Sequence, residues 1–587
     1  MVPALGQFAF RDELITMFVA VALDEGAIET PDELLLAMRL RAAYPSYDWS
    51  SALPQWQGRH MLAARNGKRL AAILCETSSD KPALFSSWHP QLHSVWDEVF
   101  SVYFGAGAGK ETSAGAMEFS TLWERVADGG LFAGNASQFR RYWGYLLLER
   151  ALEHVGEDAI ATLITPNVVR ALTEQVASAS GGSGKSPLSK VGQRAAERLV
   201  AACEGNTKVG LAVLTQLLGQ QKLAGQAAGS APPTLRALLT GRIVATLDSE
   251  AIFRYVCDLQ QMFLEPGTTV QGARAVDKQR AWAVDQMVRV ARAAQLPVTD
   301  ALTTDVLRFV AVHASLQRTT TVGGGACGVA ALDGTMPTPA LSQTTRDHCS
   351  STLVAFVGDL SRISTHGRNE GQSDDAAGSG RLAIGCSREG LVWSTLALQT
   401  VAEGAKRKKV SMVLPGNDEV QVLLEQTLPV LRRMAKRTRE HAEAGQTEAA
   451  QRVRALELLL GTVSVLAVFS TEPATRAEYA EVVPELCECF ARLDSGEEVA
   501  EDEPQPVEVL TEILISFLTK DSLMLRKLCE QVFAPFTTLV TAAALDSIIG
   551  VLRAQEGGEG EDADGAAVET QMEVSDVEDS EGSGSEA

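Results

Sequence analysis

Along most of this chain apolar residues return at a period of 3.6, and nowhere do they alternate in a sustained run. Tyr145, Leu148, Leu152 and Val155 share a face. So do Leu199, Cys203, Val209, Val213 and Leu217, and likewise Trp282, Val284, Met287, Val288 and Ala291. Leu424, Leu428, Leu431 and Met434 form a later stripe, followed by Leu510, Ile513, Leu514 and Phe517. A strand places successive side chains on opposite faces and a helix repeats every 3.6 residues, so this pattern dictates helices. Aromatic residues make up only 6% of the chain while Leu and Ala are abundant, which favours packed helices over a β-sandwich.

The stripes are interrupted. Residues 105–115, 178–187, 223–233, 319–347, 367–380 and 494–506 are poor in large apolar side chains, most of them rich in Gly, Ser and Ala and the last in acids and Pro. Between them lie helical blocks, many of roughly 40 to 60 residues, the spacing that stacked helical repeats produce. The expected fold is all-α, an elongated HEAT- or armadillo-like helical solenoid with long disordered loops. The expected division is a helical-repeat region over 1–318, a mostly flexible Gly/Ser/Thr-rich insert over 319–380, a second helical-repeat region over 381–555, and a disordered acidic tail over 556–587.

The tail follows from its charge. Of the net −22, −12 lies from Glu556 onward with no Lys or Arg, leaving −10 for the rest. With almost no apolar side chains, such a segment cannot offset the entropy of ordering. An acidic body argues against wrapping nucleic acid over most of the surface, since phosphate affinity comes from clustered cations. The nine cysteines are scattered without a C-x-x-C pair and read as reduced, mostly buried thiols. The longest apolar run, Leu458 to Phe469, is too short to span a bilayer and reads as a buried helix. Early acids, Asp12 and Glu13, and the lack of a basic n-region do not fit a signal peptide.

No catalytic, cofactor-binding or metal site is expected. Gly107-Ala108-Gly109-Lys110-Glu111 has Glu111 where a Mg²⁺-binding hydroxyl belongs and Phe104 where the first Gly belongs. Gly181 to Ser186 contains Gly-Lys-Ser but begins from Ala179 and follows no strand, so its amides lack a frame for phosphate. A polymerase needs carboxylates fixed around two metal ions. Glu501-Asp502-Glu503 lies in a Pro-containing linker, and Asp562 and Asp564 lie in the acidic tail. Cys487 and Cys489 face apart on a helix, His348-Cys349 borders a loop, and no second pair stands at zinc spacing. Three L-x-x-L-L segments, Leu214 to Leu218, Leu235 to Leu239 and Leu456 to Leu460, read first as core stripes of the repeats rather than docking motifs.

The sharper signal is Lys406-Arg407-Lys408-Lys409, between two helical blocks. Four adjacent cations favour solvent or an acidic partner, and the run is a candidate nuclear-import signal or phosphate contact. Arg432, Arg433, Lys436, Arg437 and Arg439 add a basic stretch on a helix, and the two together are expected to form one local positive surface. In the tail, Ser575 has Asp576 next to it and Glu578 at +3, and Ser583 has Glu586 at +3. Both are candidate phosphorylation sites for an acid-directed kinase.

Several segments, in order, resemble one family. They are Leu122-Trp123-Glu124-Arg125-Val126-Ala127-Asp128 with Leu131-Phe132, then Arg140-Arg141-Tyr142-Trp143-Gly144-Tyr145. Thr165-Pro166-Asn167-Val168-Val169-Arg170 and Gln279-Arg280-Ala281-Trp282-Ala283-Val284-Asp285-Gln286 follow, then Leu525-Arg526-Lys527 through Phe533 and an acidic tail. This arrangement is similar to the DNA polymerase phi family, which includes Myb-binding protein 1A. Physically these residues are aromatic and Arg anchors of helix pairs. The resemblance implies a nucleolar scaffold in ribosomal RNA gene transcription and ribosome biogenesis, without catalysis. It implies as partners transcription factors and other nuclear proteins, together with rDNA or basic ribosomal or histone proteins, and no membrane. Family members extend further at both ends with a basic terminus, so import is expected to fall to Lys406 to Lys409. Two other readings stay open here, a HEAT-type transport or assembly adaptor and a DNA polymerase, as the family name says.

Overall fold

The computed structural model describes residues 10–22, 28–57, 60–75, 91–105, 115–180, 187–204, 206–223, 233–266, 272–293, 296–318, 337–362, 384–407, 410–495 and 504–557. Of the stretch 556–587 expected as an acidic tail, Glu556 and Gly557 belong to the last helix, and residues 558–587, with Ser575 and Ser583, lie outside these residues. Twenty-two α-helices run through the described residues. The opening series is α1 (Arg11–Ala22), α2 (Pro31–Ala43), α3 (Trp49–Ala52), α4 (Gly67–Cys75) and α5 (Val95–Phe104). Thr30 and Glu33 cap α2 reciprocally around Pro31, a capping box that satisfies two orphan amides. Next comes α6 (Phe119–Trp123), continued by a π-helical stretch (Glu124–Leu131), and then α7 (Gln138–His154) and α8 (Pro166–Ser180).

The segments quoted above for their family resemblance meet here, and they meet as packing. Trp123 Nε1 donates to the Leu163 carbonyl at 3.1 Å, and Tyr145 Oη donates to the Ala171 carbonyl at 2.8 Å. Asn167 N–H donates to Asp128 at 2.8 Å, and Arg170 Nη2 donates to the Phe132 carbonyl at 2.8 Å. The start of α8 is thereby tied to the π-helical stretch, whose widened turn leaves backbone groups in need of partners. Gly144 is required where α7 crosses Phe132, because a Cβ there would stand 2.7 Å from the ring.

The stack continues through α9 (Pro187–Cys203), α10 (Thr207–Leu223), α11 (Pro233–Val244), α12 (Ser249–Leu264), α13 (Ala273–Arg292) and α14 (Asp300–Ser315). Then come β1 (Leu316–Arg318), α15 (Gln343–Leu360), α16 (Trp393–Ala405), β2 (Val410–Met412), α17 (Asn417–Glu443) and α18 (Thr447–Phe469). The series closes with α19 (Pro473–Ser495), α20 (Pro506–Leu518), α21 (Leu523–Phe533) and α22 (Ala542–Gly557). Helices that pack substantially on one another stand within three places in chain order, as α2 with α5, α13 with α15 and α15 with α18. Such short-range packing is what makes an all-α solenoid.

Two features go beyond a uniform stack. From Arg454 to Phe469, α18 is buried on every side, largely apolar but enclosing the polar side chains of Arg454, Glu457, Thr462 and Ser464. It packs on α15, α16, α17, α19 and α21, so the C-terminal half is gathered around it. Second, the 319–380 stretch expected as a flexible insert contains α15, with Cys349, Leu353, Phe356 and Leu360 in the core. The first turns of α15 are polar because Thr345 and Arg346 are buried there as hydrogen-bonding groups, which a count of apolar residues does not register.

Buried arginines join successive helices. Arg280 on α13, fully buried, donates through Nε to the Phe263 carbonyl in the last turn of α12 (3.0 Å) and through Nη1 to the Ala340 carbonyl (3.3 Å). The last carbonyls of a helix lack intrahelical partners and sit at the negative end of its dipole, so a guanidinium there meets both needs.

Candidate nucleic-acid interface

The basic run begins where α16 ends. Lys406 caps the helix and is exposed, as is Arg407. Arg407 N–H donates to the Gly404 carbonyl at 3.1 Å, and the Arg407 carbonyl accepts from Val410 N–H at 3.4 Å. Lys408 and Lys409 lie outside the described residues. At Val410 the chain enters β2, which pairs antiparallel with β1 in the register Leu316↔Met412, Gln317↔Ser411 and Arg318↔Val410. The pairing sets Arg318 beside the basic turn, although the strands are 94 residues apart at Ser411 and Gln317. No sequence pattern announces a two-stranded ribbon of three residues a side, so Arg318 escapes a reading of local charge.

The ribbon is held from below. Arg346 on α15 donates through Nη1 to the His313 carbonyl at 3.2 Å and the Leu316 carbonyl at 3.1 Å. These are the end of α14 and the first residue of β1. Just past the other strand, Val413 N–H donates to the Ser315 carbonyl at 2.9 Å, and Asn417 Nδ2 donates to the Met412 carbonyl at 3.0 Å. His313 Nδ1 donates to the Phe309 carbonyl, and burial pushes its pKa down to about 4, which keeps the ring neutral beside Arg346 and Arg280. The residues that flank the basic run, Arg407 and Val410, are therefore attached to a fixed edge.

The second basic stretch is placed differently from the expectation. Asp494 of α19, its side chain 5% exposed, takes Arg437 at 2.7 Å and Arg433 at 2.5 Å. Glu440 takes Lys436 at 3.4 Å and Arg437 at 3.1 Å. Arg433 and Arg437 stitch α17 to α19, while Arg432 and Arg439 remain exposed. Asn417, at the N-terminus of α17, adjoins β2, and at 1.5 Å per residue Arg432 stands about 22 Å further along the axis. The two basic stretches thus form separate patches rather than one surface. Asp494, a counter-ion near a chain break in hydrophobicity, gave no signal in the sequence.

The other singled-out residues are structural. Leu214, Leu217 and Leu218 are buried, as are Leu456, Leu459 and Leu460, so those two L-x-x-L-L segments are core; of the third, Leu239 is buried. Cys487 and Cys489 lie on α19, and burial pushes both thiols up to about 11. His348 pairs with Asp285 at 2.9 Å, while Cys349 is buried and pushed up to about 12. Seven described cysteines are free thiols; Cys257 is disulfide-bonded, which departs from the all-thiol reading. Residues 106–114, 181–186, 501–503, 562 and 564, which carry the Gly-rich and acidic candidates, lie outside the described residues. Among the described residues no group of three His, Cys, Asp or Glu is placed to hold a metal ion, and no helix is long and apolar enough to cross a membrane.

A family model described as DNA polymerase phi matches residues 1–587. The rDNA transcriptional regulator pol5 of Schizosaccharomyces pombe is 22% identical over 516 residues, 86% of this chain and 48% of that protein. The rDNA transcriptional regulator POL5 of Saccharomyces cerevisiae is 26% identical over 175 residues, 26% of this chain and 16% of that protein. A Myb-binding protein 1A-like protein of Danio rerio is 24% identical over 364 residues, 58% of this chain and 26% of that protein. The chain spans about half the length, or less, of these curated relatives. No solved structure matches it.

Proposed function

This chain belongs to the DNA polymerase phi family, and from that premise we propose that it is a non-catalytic helical scaffold of the nucleus and nucleolus that regulates ribosomal RNA gene transcription. The observation that carries the reading is the Lys406–Arg407 turn, exposed and fixed beside Arg318 on an otherwise acidic chain. Cations held in place meet nucleic-acid phosphates without a large ordering cost, and they bind regardless of base sequence. In this reading Lys408 and Lys409 extend the same contact. The regulator names of two relatives support it. The Myb-binding name of a third supports transcription factors as partners on the helical faces. The motif residues Trp123, Asn167, Arg170 and Arg280 are engaged in helix packing, which supports a scaffold over a polymerase.

The same four-residue run is our candidate nuclear-import signal. The tail, with Ser575 and Ser583 as phosphorylation sites, is proposed to compete for basic nuclear proteins. The test separates import from DNA contact. Cells carrying Lys406→Ala, Arg407→Ala, Lys408→Ala and Lys409→Ala, with an independent import signal fused on, are assayed for crosslinking to ribosomal DNA and for precursor rRNA synthesis. Reduced crosslinking with nuclear protein present is the expected result. Undiminished crosslinking would remove the phosphate-contact reading.

A further inference from the structure

A groove of about 270 Å³ opens where α17, α18, α19 and the segment before α22 come together. Its floor holds Leu456, Phe490 and Phe536, all buried, and its edge carries Leu539, 38% exposed. Arg437 and Arg452 stand over this apolar floor. Arg452 is paired at Nη2 with Glu448 at 2.9 Å, but its buried Nε–H has no hydrogen-bond partner. A buried donor without an acceptor is costly, and a carboxylate entering the groove would relieve it. Around the groove Arg433, Lys436, Arg437 and Arg452 face Glu440, Glu448 and Asp494, an excess of cation on a chain whose net charge is −22. The occupant that fits is therefore both apolar and acidic.

The chain contains such a segment. Val568, Met572, Val574 and Val577 are interleaved with Glu569, Glu573, Asp576, Glu578 and Asp579, whereas the sequence on either side is acid with Gly, Ser and Ala. The tether is long enough. Helix α22 starts three residues after Leu539 and ends at Gly557, about 24 Å away along its axis. The eleven residues from Gly557 to Val568 span up to roughly 36 Å when extended. We propose that the groove between α17, α18, α19 and Leu539 is the docking site of the chain's own segment Val568–Asp579. Docking in cis places the acidic tail over Arg437 and Arg452 and away from Lys406, so the tail and nucleic acid use different cations.

The test uses the full chain and a fluorescent peptide of residues 566–579. In one chain Glu569→Gln, Glu573→Gln, Asp576→Asn, Glu578→Gln and Asp579→Asn neutralise the segment Val568–Asp579. A short tether gives an effective concentration of order millimolar, so an intact tail competes strongly with added peptide. The peptide is expected to bind the neutralised chain at least about tenfold more tightly than the wild type. Adding Leu539→Asp, an exposed position whose change is checked by circular dichroism, is expected to abolish that gain. A scrambled peptide of equal composition is expected to bind weakly. Equal binding to wild-type and neutralised chains, a gain that survives Leu539→Asp, or a scrambled peptide that binds as well would each overturn the proposal.

Discussion

The Arg346 guanidinium lies 3.1 Å from the Leu316 carbonyl, so the strand that carries Arg318 starts from a carbonyl held by a buried cation. The same nitrogen caps the end of α14 at His313. Replacing Arg346 by Met keeps much of the volume and leaves two carbonyls unpaired. We expect a loss of about 2–4 kcal/mol in chemical unfolding. Hydrogen exchange at Val410 and Val413 should accelerate in step, because the ribbon loses its support. Unchanged protection there would show that the ribbon does not depend on Arg346.

Glu457 and Arg454 form a buried ion pair at 2.8 Å on α18, between α16 and the 384–392 connection. Burial pushes the Glu457 carboxyl up to about 7, against the partial offset of Arg454. The folded value thus exceeds the ordinary 4.5. Below pH 4.5 folded and unfolded chains are both protonated at this site. Between there and pH 7 the unfolded chain releases a proton that the folded chain retains, so stability falls with rising pH by about 3 kcal/mol and then levels. Urea midpoints at pH 5 and pH 8 should differ in that direction for the wild type, and Glu457→Gln should flatten the contribution even though Arg454 loses its partner.

Gly461 faces Ser394 of α16 across a close approach of α18. A Cβ at that position would collide with the Ser394 side chain. Gly461→Ala is expected to cost about 1–3 kcal/mol by overpacking, despite the better helix propensity of Ala. Ser394→Ala in the same chain should recover part of the loss. Additive effects in the double variant would mean that the two helices are further apart than described.

Asp494 neutralises Arg433 and Arg437, whose side chains stay partly exposed. Asp494→Asn should leave Arg433 available to anions and Arg437 held by Glu440 alone. Duplex DNA affinity at low salt is expected to rise, with a salt dependence steeper by about one to two phosphate contacts. No change in slope would place both arginines outside any nucleic-acid path.

The helical plan was legible because burial is written at period 3.6, from Tyr145–Val155 through Leu510–Phe517, and because the run Leu458 to Phe469 is too long and apolar for anything but a buried helix. The opening turns of α15 were not legible, since Thr345 and Arg346 are buried for their hydrogen bonds. The same limit hid the site. Lys406 and Arg407 are visible as a charge run, whereas Arg318 joins them only through a pairing of three residues a side. The basic face of α17 looked free because its counter-ion, Asp494, stands more than fifty residues away in sequence.

The most direct measurement is equilibrium binding of the full chain to a ribosomal DNA duplex across 50 to 300 mM salt, for the wild type and for the variant Arg318→Ala, Lys406→Ala, Arg407→Ala. If three fixed cations meet phosphates at the ribbon, the variant binds about tenfold or more weakly at low salt and its log–log salt slope is shallower by about two to three. Identical affinity and slope in the two proteins would contradict the account.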